Sequence, residues 1–225
     1  METPSKRNLI LSGIGSSNGG TVRLAKIDGI GKVNGDMNCS DFIVNGKADV
    51  HGSVQSSKAE INGTALVEGN LHSERIRIQG KLTVQGNLIG DHLHLNGMLS
   101  VNGGCESETF DANGRLQMGT LNAGSIQITL QGQSHIAEIG GEHIKIRKQP
   151  GIDYTKWLKW IPIPVGSQLT AQTIEGDTIY VEYTTAKAVR GTDVVIGPGC
   201  EIGLVEYKGK FEQDKGSKVE RSEQL

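Results

Sequence analysis

The chain has 225 residues and a net charge of −2, and its pI near 6.3 gives no positive field that would favour nucleic acid as a partner. Three scattered cysteines argue against a disulfide scaffold, and no apolar run reaches membrane-spanning length. We therefore expect a protein of a reducing, cytoplasmic compartment. Its 32 glycines are about twice the usual share, which indicates many tight corners.

Residues 1–20 are predicted to be a flexible N-terminal cap, because they are polar and rich in glycine and serine. The apolar triplet Leu9-Ile10-Leu11 predicts an edge strand beside whatever follows. The run from Gly13 to Gly20 is similar to a phosphate-binding loop, but Asn18 stands where the third glycine is required and a strand pattern follows. The cap is the favoured interpretation.

Residues 21–148 repeat a unit of seventeen residues. Val44-Asn45-Gly46 with Val50-His51-Gly52 returns as Ile61-Asn62-Gly63 with Val67-Glu68-Gly69. Apolar residues stand two apart, which is the strand period, and helical spacing is absent. Each unit is therefore predicted to be a set of short strands joined by glycine corners with positive φ. The corner glycines are Gly46, Gly63, Gly80, Gly97, Gly52, Gly69, Gly86 and Gly103.

Aligned at this period, the apolar residues fall into columns that define a core. The two clearest columns are Val44, Ile61, Ile78 and Leu95, and Val50, Val67, Val84 and Val101. Three short faces closing on themselves predict an all-β fold, a triangular parallel β-helix with one coil per unit. The general preference of parallel crossovers favours the right hand. One coil buries too little apolar surface to fold alone, so the coils must stack, and an uncovered end is a template for another chain.

Residues 149–168 interrupt the repeat with prolines and with both tryptophans of the chain. We expect this insert either to cover an open part of the solenoid or to contact a membrane or a partner. The candidate assembly or docking residues are Tyr154, Trp157, Leu158, Trp160 and Ile161.

Residues 169–207 show strand patterns again and are predicted to form a shorter second β-stack, which either continues the first or packs beside it. Residues 208–225 are charged and poor in apolar residues, so a disordered tail is expected.

Side chains that carry chemistry do not form a recognisable site. His92 and His94 could share a metal on one strand face, but Arg77 and Asp111 lie above and below His94 in the column alignment and favour ion pairing. No nucleophile motif and no pair of carboxylates is apparent. We predict no catalytic residue, no metal and no cofactor.

The seventeen-residue unit with its paired apolar-x-Gly elements resembles the bactofilin family of bacterial polymer-forming cytoskeletal proteins, and the stretch from Thr173 to Tyr207 resembles the extended form of Gram-positive members. The resemblance implies nucleotide-independent filaments that grow through coil ends and serve cell shape, envelope organisation or motility. It implies the protein itself as partner, with a paralogous bactofilin or a peripheral contact at the inner face of the membrane as further partners. The resemblance carries no catalytic residue.

Two other functions stay open. A left-handed β-helix acyltransferase is suggested by the stretch from Ile196 through Cys200 to Gly203, in which Ile196 and Ile202 stand six residues apart. The array, however, runs at seventeen residues, and such enzymes repeat at eighteen. A monomeric adaptor could dock a partner through Trp157 and Trp160.

Overall fold

The described residues form one β-solenoid whose strands all run parallel to their neighbours. A computed structural model describes residues 7–149 and 168–225, and every regular element within them is a strand. The strands are β1 (Leu9–Ser17), β2 (Gly20–Thr21), β3 (Leu24–Val33), β4 (Met37–Val44), β5 (Lys47–Val50), β6 (Val54–Ile61), β7 (Thr64–Val67), β8 (Leu71–Val84), β9 (Leu88–Leu130), β10 (Gln133–Lys148), β11 (Gln168–Val181), β12 (Thr184–Ile196), β13 (Glu201–Tyr207), β14 (Phe211–Gln213) and β15 (Lys218–Gln224).

The register of these strands places each residue over the residue one repeat earlier. Val44 pairs with Ile61, Ile61 with Ile78, and Ile78 with Leu95, in steps of seventeen residues. Some strands, such as β9, continue through corners because the ladder hydrogen bonds do not break there. The predicted fold class, a parallel β-helix with a seventeen-residue coil, is confirmed. Its right-handed sense stays a prediction.

The two core columns lie on the axis of the stack. All eight of their side chains are at most 2% exposed, as alternation along a strand requires. A third face adds a column of small residues, in which the Ser56 hydroxyl donates to the Ser73 hydroxyl at 3.0 Å and Ser73 donates to the carbonyl of Arg75 at 3.1 Å. The buried hydroxyls of this pair therefore satisfy each other.

The corner glycines are needed for close backbone approach more than for positive φ, which corrects the sequence argument. Among the eight corner glycines, Gly80 and Gly97 have φ values of 143° and 141°. A Cβ on Gly46 would lie 2.1 Å from the carbonyl oxygen of Gly29, and one on Gly63 would lie 2.1 Å from that of Gly46. A side chain has no room there, so only glycine fits at a corner that lies directly over the backbone of the preceding coil.

A second corner carries a polar ladder that the sequence argument missed. Asp36 accepts a hydrogen bond from the backbone N–H of Ser53, and the Ser53 hydroxyl accepts one from the N–H of Asn70. The Asn70 side chain then accepts from the N–H of Asn87, and Asn87 accepts from the N–H of Gly104. Each step is seventeen residues, so small polar residues at that period were the available signal.

The strands after the insert continue the first stack. β11 pairs directly with β10, so that Gln133 lies beside Gln168 and Ile144 beside Ile179. This step of 35 residues equals one ordinary coil plus the eighteen residues 150–167, which lie outside the described residues. β12 and β13 then follow in steps of fifteen and sixteen residues. The predicted second stack is therefore the continuation of the first.

Both chain ends are more ordered than the sequence argument expected. β1 pairs with β3 along its full length, where only Leu9–Leu11 had been expected to form an edge strand. Residues 208–225, expected to be a disordered tail, contribute β14 on β12 and β15 on β13. A terminal coil contacts the core with one side only, and here Phe211 and Val219 are the half-buried residues that pack against it. Such a coil needs few apolar residues, so its low apolar content does not imply disorder.

Candidate assembly surfaces at the ends of the solenoid

The first coil of the solenoid presents an open edge. Within the described residues, β1 has a strand neighbour on the β3 side only. Leu9 and Leu11 lie over the buried Ala25 and Ile27 but are themselves only half-buried, because no further coil covers them. An edge of this kind offers unpaired backbone groups and apolar surface to another strand.

Apolar side chains also point outward from this end. Ile10 is 54% exposed, Ile14 is 85% exposed and Ile30, which pairs with Ile14, is 51% exposed. Farther along the stack the same outward columns carry Lys26 and Lys47. Residues 8–22 contain no charged side chain. The first coil is therefore an uncharged apolar surface at the end of a charged rod.

The last coil is of the opposite kind. Residues 208–224 contain nine charged side chains, and β15 is exposed over nearly its whole length. Lys218 pairs with Glu220 at 3.5 Å, and Arg221 pairs with Glu223 at 2.9 Å. Beneath them, the ring of Tyr207 packs against the ring of Phe211 at 5.3 Å between centroids.

A shallow groove runs along the corner glycines of the later coils, where Gly141, Gly176 and Gly191 lie one above the other. Arg190 occupies its wall, where its guanidinium pairs with Glu175 at 2.7 Å and also with Glu206. These two carboxylates hold the pKa of Arg190 above its usual range. Glu175 and Glu206 thus neutralise Arg190, and Lys208 also lines the groove.

His51, His92 and His94 contact neighbouring side chains on the outer surface. His94 lies 3.1 Å from Asp111, as the column alignment predicted, and His51 lies 2.8 Å from Glu68. His92 lies 2.9 Å from the hydroxyl of Thr109. Among the described residues, no cluster of three or more metal-ligating side chains occurs.

The three cysteines are free and buried. Burial raises the pKa of the Cys105 thiol to about 12 and the pKa of the Cys39 and Cys200 thiols to about 11. A thiol is nucleophilic only as its thiolate. At neutral pH these three side chains are therefore small core residues without nucleophilic character. Cys200 closes the corner after β12, where its thiol lies 3.4 Å from the carbonyl oxygen of Val181.

The predicted docking residues Tyr154, Trp157, Leu158, Trp160 and Ile161 lie outside the described residues. The structure describes the two points between which they lie, at the end of β10 and the start of β11. There Lys148 stands over the ring of Tyr183 at 4.3 Å, and Arg147 stands over Tyr180 at 5.3 Å. In the parts of the chain that are described, no helix is long and apolar enough to cross a membrane.

Comparison with known proteins is informative for the first half of the chain. A family model described as "Bactofilin: Polymer-forming cytoskeletal" matches residues 13–106. Residues 13–106 are therefore similar to a bactofilin domain. The matched region comprises most of the regular seventeen-residue coils and most of the open first coil, while the later coils and the charged last coil lie beyond it.

Two curated proteins of Bacillus subtilis (strain 168) are similar to the chain over 108 residues. The uncharacterized protein YhbF is 39% identical, with 48% of this chain and 42% of that protein covered. The uncharacterized protein YhbE is 43% identical, with 48% of this chain and 44% of that protein covered. The match thus spans less than half the length of these curated relatives. No solved structure matches the chain.

The core columns can be aligned from the sequence alone. The contrast between the uncharged first coil and the charged last coil was missed at that stage. The signal was available, because an uncharged stretch of fifteen residues at 8–22 and nine charges at 208–224 can be counted directly. The charged segment was interpreted as a solvated tail, and only its pairing with β12 and β13 makes it the last coil.

Proposed function

We propose that this chain is a non-enzymatic bacterial cytoskeletal scaffold that self-assembles without nucleotide by stacking the ends of its solenoid. The observation that carries the proposal is the open, uncharged first coil, most of which lies inside the region similar to a bactofilin domain. Stacking a second chain there adds one more strand pairing to the ladder that holds the coils together. Scaffolding in cell shape, envelope organisation or motility is the role that follows.

The charge pattern of the described residues supports assembly over catalysis. Several ionisable side chains on the outer columns are paired with neighbours on the same or the adjacent coil, as Lys26 with Asp28 and Lys58 with Glu60. The six-residue spacing from Ile196 to Ile202 marks a turn between β12 and β13. No observation favours the acyltransferase, and the adaptor depends on Trp157 and Trp160, of which nothing is described.

We further propose that the protein acts in the cytoplasm, with contact to the inner face of the membrane through the insert and copolymerisation with a paralogous bactofilin as its additional partners. Replacing Trp157 and Trp160 with serine should leave the β signal of the fold intact and change the distribution of a fluorescent fusion in cells. An unchanged distribution would remove the insert from this account.

The proposal is tested by negative-stain microscopy and sedimentation of the pure protein without nucleotide. About twelve coils at roughly 4.8 Å give a single chain a length of about 55 Å. We expect rods longer than this, in a proportion that rises with protein concentration and does not change on addition of ATP or GTP. Single-length particles at all concentrations would contradict the proposal.

A further inference from the structure

We infer that Lys145 and Arg147 on β10 form a docking site for an extended acidic segment of a partner protein. The site lies on the side of the rod, because β10 has strand neighbours on both edges, β9 and β11. It is therefore accessible whether or not the ends of the rod stack. The inference does not depend on the proposed self-assembly and goes beyond it, because it assigns the scaffold a surface for cargo.

Exposed cations of this solenoid are commonly neutralised within their own strand. In five ion pairs of the described residues, the carboxylate stands two residues after the lysine or arginine, where alternate side chains point to the same face. These pairs are Lys26–Asp28, Lys47–Asp49, Lys58–Glu60, Lys218–Glu220 and Arg221–Glu223. On β10 the residue two positions after Lys145 is Arg147. This strand therefore adds positive charge where the others cancel it.

The strands on either side of β10 do not supply the missing carboxylate. On β9, Gln127 lies beside Lys145 and Thr129 lies beside Arg147, and both side chains are neutral. On β11, the neighbour of Lys145 is Tyr180. Among the ion pairs of the described residues, none includes Lys145 or Arg147. Both side chains are exposed, so two unpaired cations stand next to each other on this face.

The carboxylate of Glu182 lies next to this pair but is already engaged. One of its oxygens accepts a hydrogen bond from the Tyr180 hydroxyl at 2.6 Å, and the other accepts one from the backbone N–H of Lys148 at 3.2 Å. The hydrogen bond to Glu182 also raises the pKa of Tyr180 above its usual range, so the phenol stays neutral. Glu182 therefore orients the ring of Tyr180 and leaves the two cations unpaired.

Two tyrosine rings hold cations in place at this site. The guanidinium of Arg147 lies 5.3 Å from the ring centroid of Tyr180, and the ammonium of Lys148 lies 4.3 Å from that of Tyr183. The face of an aromatic ring attracts a cation without using its hydrogen-bond donors. Arg147 thus keeps N–H groups free to bind a carboxylate with two parallel hydrogen bonds. A side chain that is held before the ligand arrives loses less entropy on binding.

The spacing of the pair matches that of carboxylates on an extended chain. Residues two apart on a strand are separated by roughly 6.6 Å, and acidic residues on alternate positions of another extended segment have the same separation. A segment that runs along β10 therefore places one carboxylate at Lys145 and the next at Arg147. The amide of Gln127 and the hydroxyl of Thr129 on the neighbouring strand can donate to the remaining oxygens.

A long polyanion or an acidic membrane fits this face less well. Asp193 stands in the outward column of His143, two coils farther along the rod. The exposed carboxylates of Glu142 and Asp177 line the adjacent corner. A surface that covers several coils meets these carboxylates as well as the cations, and their repulsion offsets the attraction. A segment of a few residues along β10 meets the cations alone, so a short acidic segment is favoured.

Binding is measured by the fluorescence anisotropy of a labelled peptide mixed with the full-length protein. The ionic strength is kept at about 0.02 M, because salt screens contacts between exposed charges. The probe is a capped peptide of four Glu-Thr repeats, and the control peptide has four glutamates followed by four threonines. The alternating peptide should bind about fivefold more tightly, since the control places one of its carboxylates off the pair. Equal binding of the two peptides, or no binding of the alternating one, would overturn the inference.

The double variant K145T/R147T removes both cations and keeps residues that suit a strand. It should weaken binding of the alternating peptide about tenfold. R75T/R77T is the matched control, because Arg75 and Arg77 are an exposed pair with the same spacing on β8, and Arg77 lies beside Glu60. The control should change the affinity less than about twofold, and circular dichroism should show the β signal in both variants. Equal losses would show that net charge alone matters and would overturn the site.

Charge reversal and other anions complete the test. K145E/R147E should lose the Glu-Thr peptide and bind a peptide of four Lys-Thr repeats, a gain that misfolding does not produce. A folded K145E/R147E chain that binds neither peptide would refute the charge complementarity. Single-stranded oligothymidylate and phosphatidylglycerol vesicles are measured in parallel with the wild-type chain and with K145T/R147T. If either binds more tightly than the alternating peptide and loses binding in K145T/R147T, the proposed protein partner is wrong.

Discussion

The coils before Gly103 and the coils after Gln168 share one axis but hold their corners differently. In the earlier coils a Cβ on the corner glycine would lie 2.1 Å from the carbonyl below, as at Gly63, whereas the corresponding distances are 2.3 Å at Gly176 and 2.8 Å at Gly191. The earlier coils repeat at seventeen residues, and the later ones step by fifteen, sixteen and seventeen. The contact at the corner therefore loosens where the coil length varies.

This difference explains which parts of the fold could be predicted from sequence. A corner that admits only glycine leaves a fixed period, so the core columns through Val44 and Val50 could be aligned without a structure. In the later coils Tyr183 turns the chain with φ at 46° and Arg190 ties three coils through Glu175 and Glu206. These contacts join residues of varying separation, and a periodic pattern does not contain them.

The same reasoning accounts for the candidate site. The repeat predicts that coil ends associate, whereas the composition of residues 208–225, taken alone, predicts a solvated tail. Whether a charged segment is a tail or a terminal strand depends on its register against the coil below, as in the pairing of Val219 with Ile202. The sequence argument also named residues of the insert, which lie outside the described residues.

Burying a charge in either region should have the largest effect on stability. Val67 in the earlier coils and Val194 in the later ones are both 0% exposed. Val67→Asp and Val194→Asp should each lower the free energy of unfolding by at least about 4 kcal/mol, because an unpaired carboxylate replaces the two methyl groups of a core valine. Urea unfolding followed by circular dichroism measures this. A wild-type-like midpoint for either variant would contradict the common core.

The corner contact should show a graded effect. Gly63→Ala should cost about 2–3 kcal/mol, because its Cβ overlaps a backbone carbonyl that cannot move without shifting the coil below. Gly191→Ala should cost less, since its nearest contact is 2.8 Å. Gly119→Ala is the control, with its nearest contact at 3.9 Å, and its unfolding midpoint should be close to that of the wild type. Equal costs at all three positions would remove the distinction between the two regions.

The polar ladder should make a smaller contribution. Asn87→Ala leaves the backbone N–H of Gly104 without its side-chain acceptor at 2.9 Å and should lower the free energy of unfolding by about 1 kcal/mol. Asn102→Ala, at another exposed asparagine of the same region, serves as the control in the same urea experiment. A loss at Asn102 as large as that at Asn87 would contradict the role of the ladder.

The buried cysteines make the stability of the fold depend on pH in the alkaline range, and this dependence is absent at neutral pH. Burial raises the thiol pKa of the folded chain from 9.0 to about 12 at Cys105 and to about 11 at Cys200. The folded state therefore holds these protons more tightly than the unfolded state. Their contribution to stability is complete below pH 9 and is lost as the pH rises toward 12.

Alkylation by iodoacetamide at pH 8 checks this directly, because only the thiolate reacts. The folded chain should remain unmodified over hours, and the unfolded chain should react at all three thiols. Fast modification of Cys105 in the folded chain would show that the core around it opens readily. Replacing Cys105 with alanine should reduce the loss of stability between pH 9 and pH 12.

Hydrogen exchange of the full-length protein at increasing concentration, without nucleotide, tests the central claim most directly. The account predicts that amides of Leu9–Ser17 exchange quickly in dilute solution and become protected as the concentration rises. Amides of Leu9–Ser17 that exchange equally fast at every concentration would contradict assembly through the first coil.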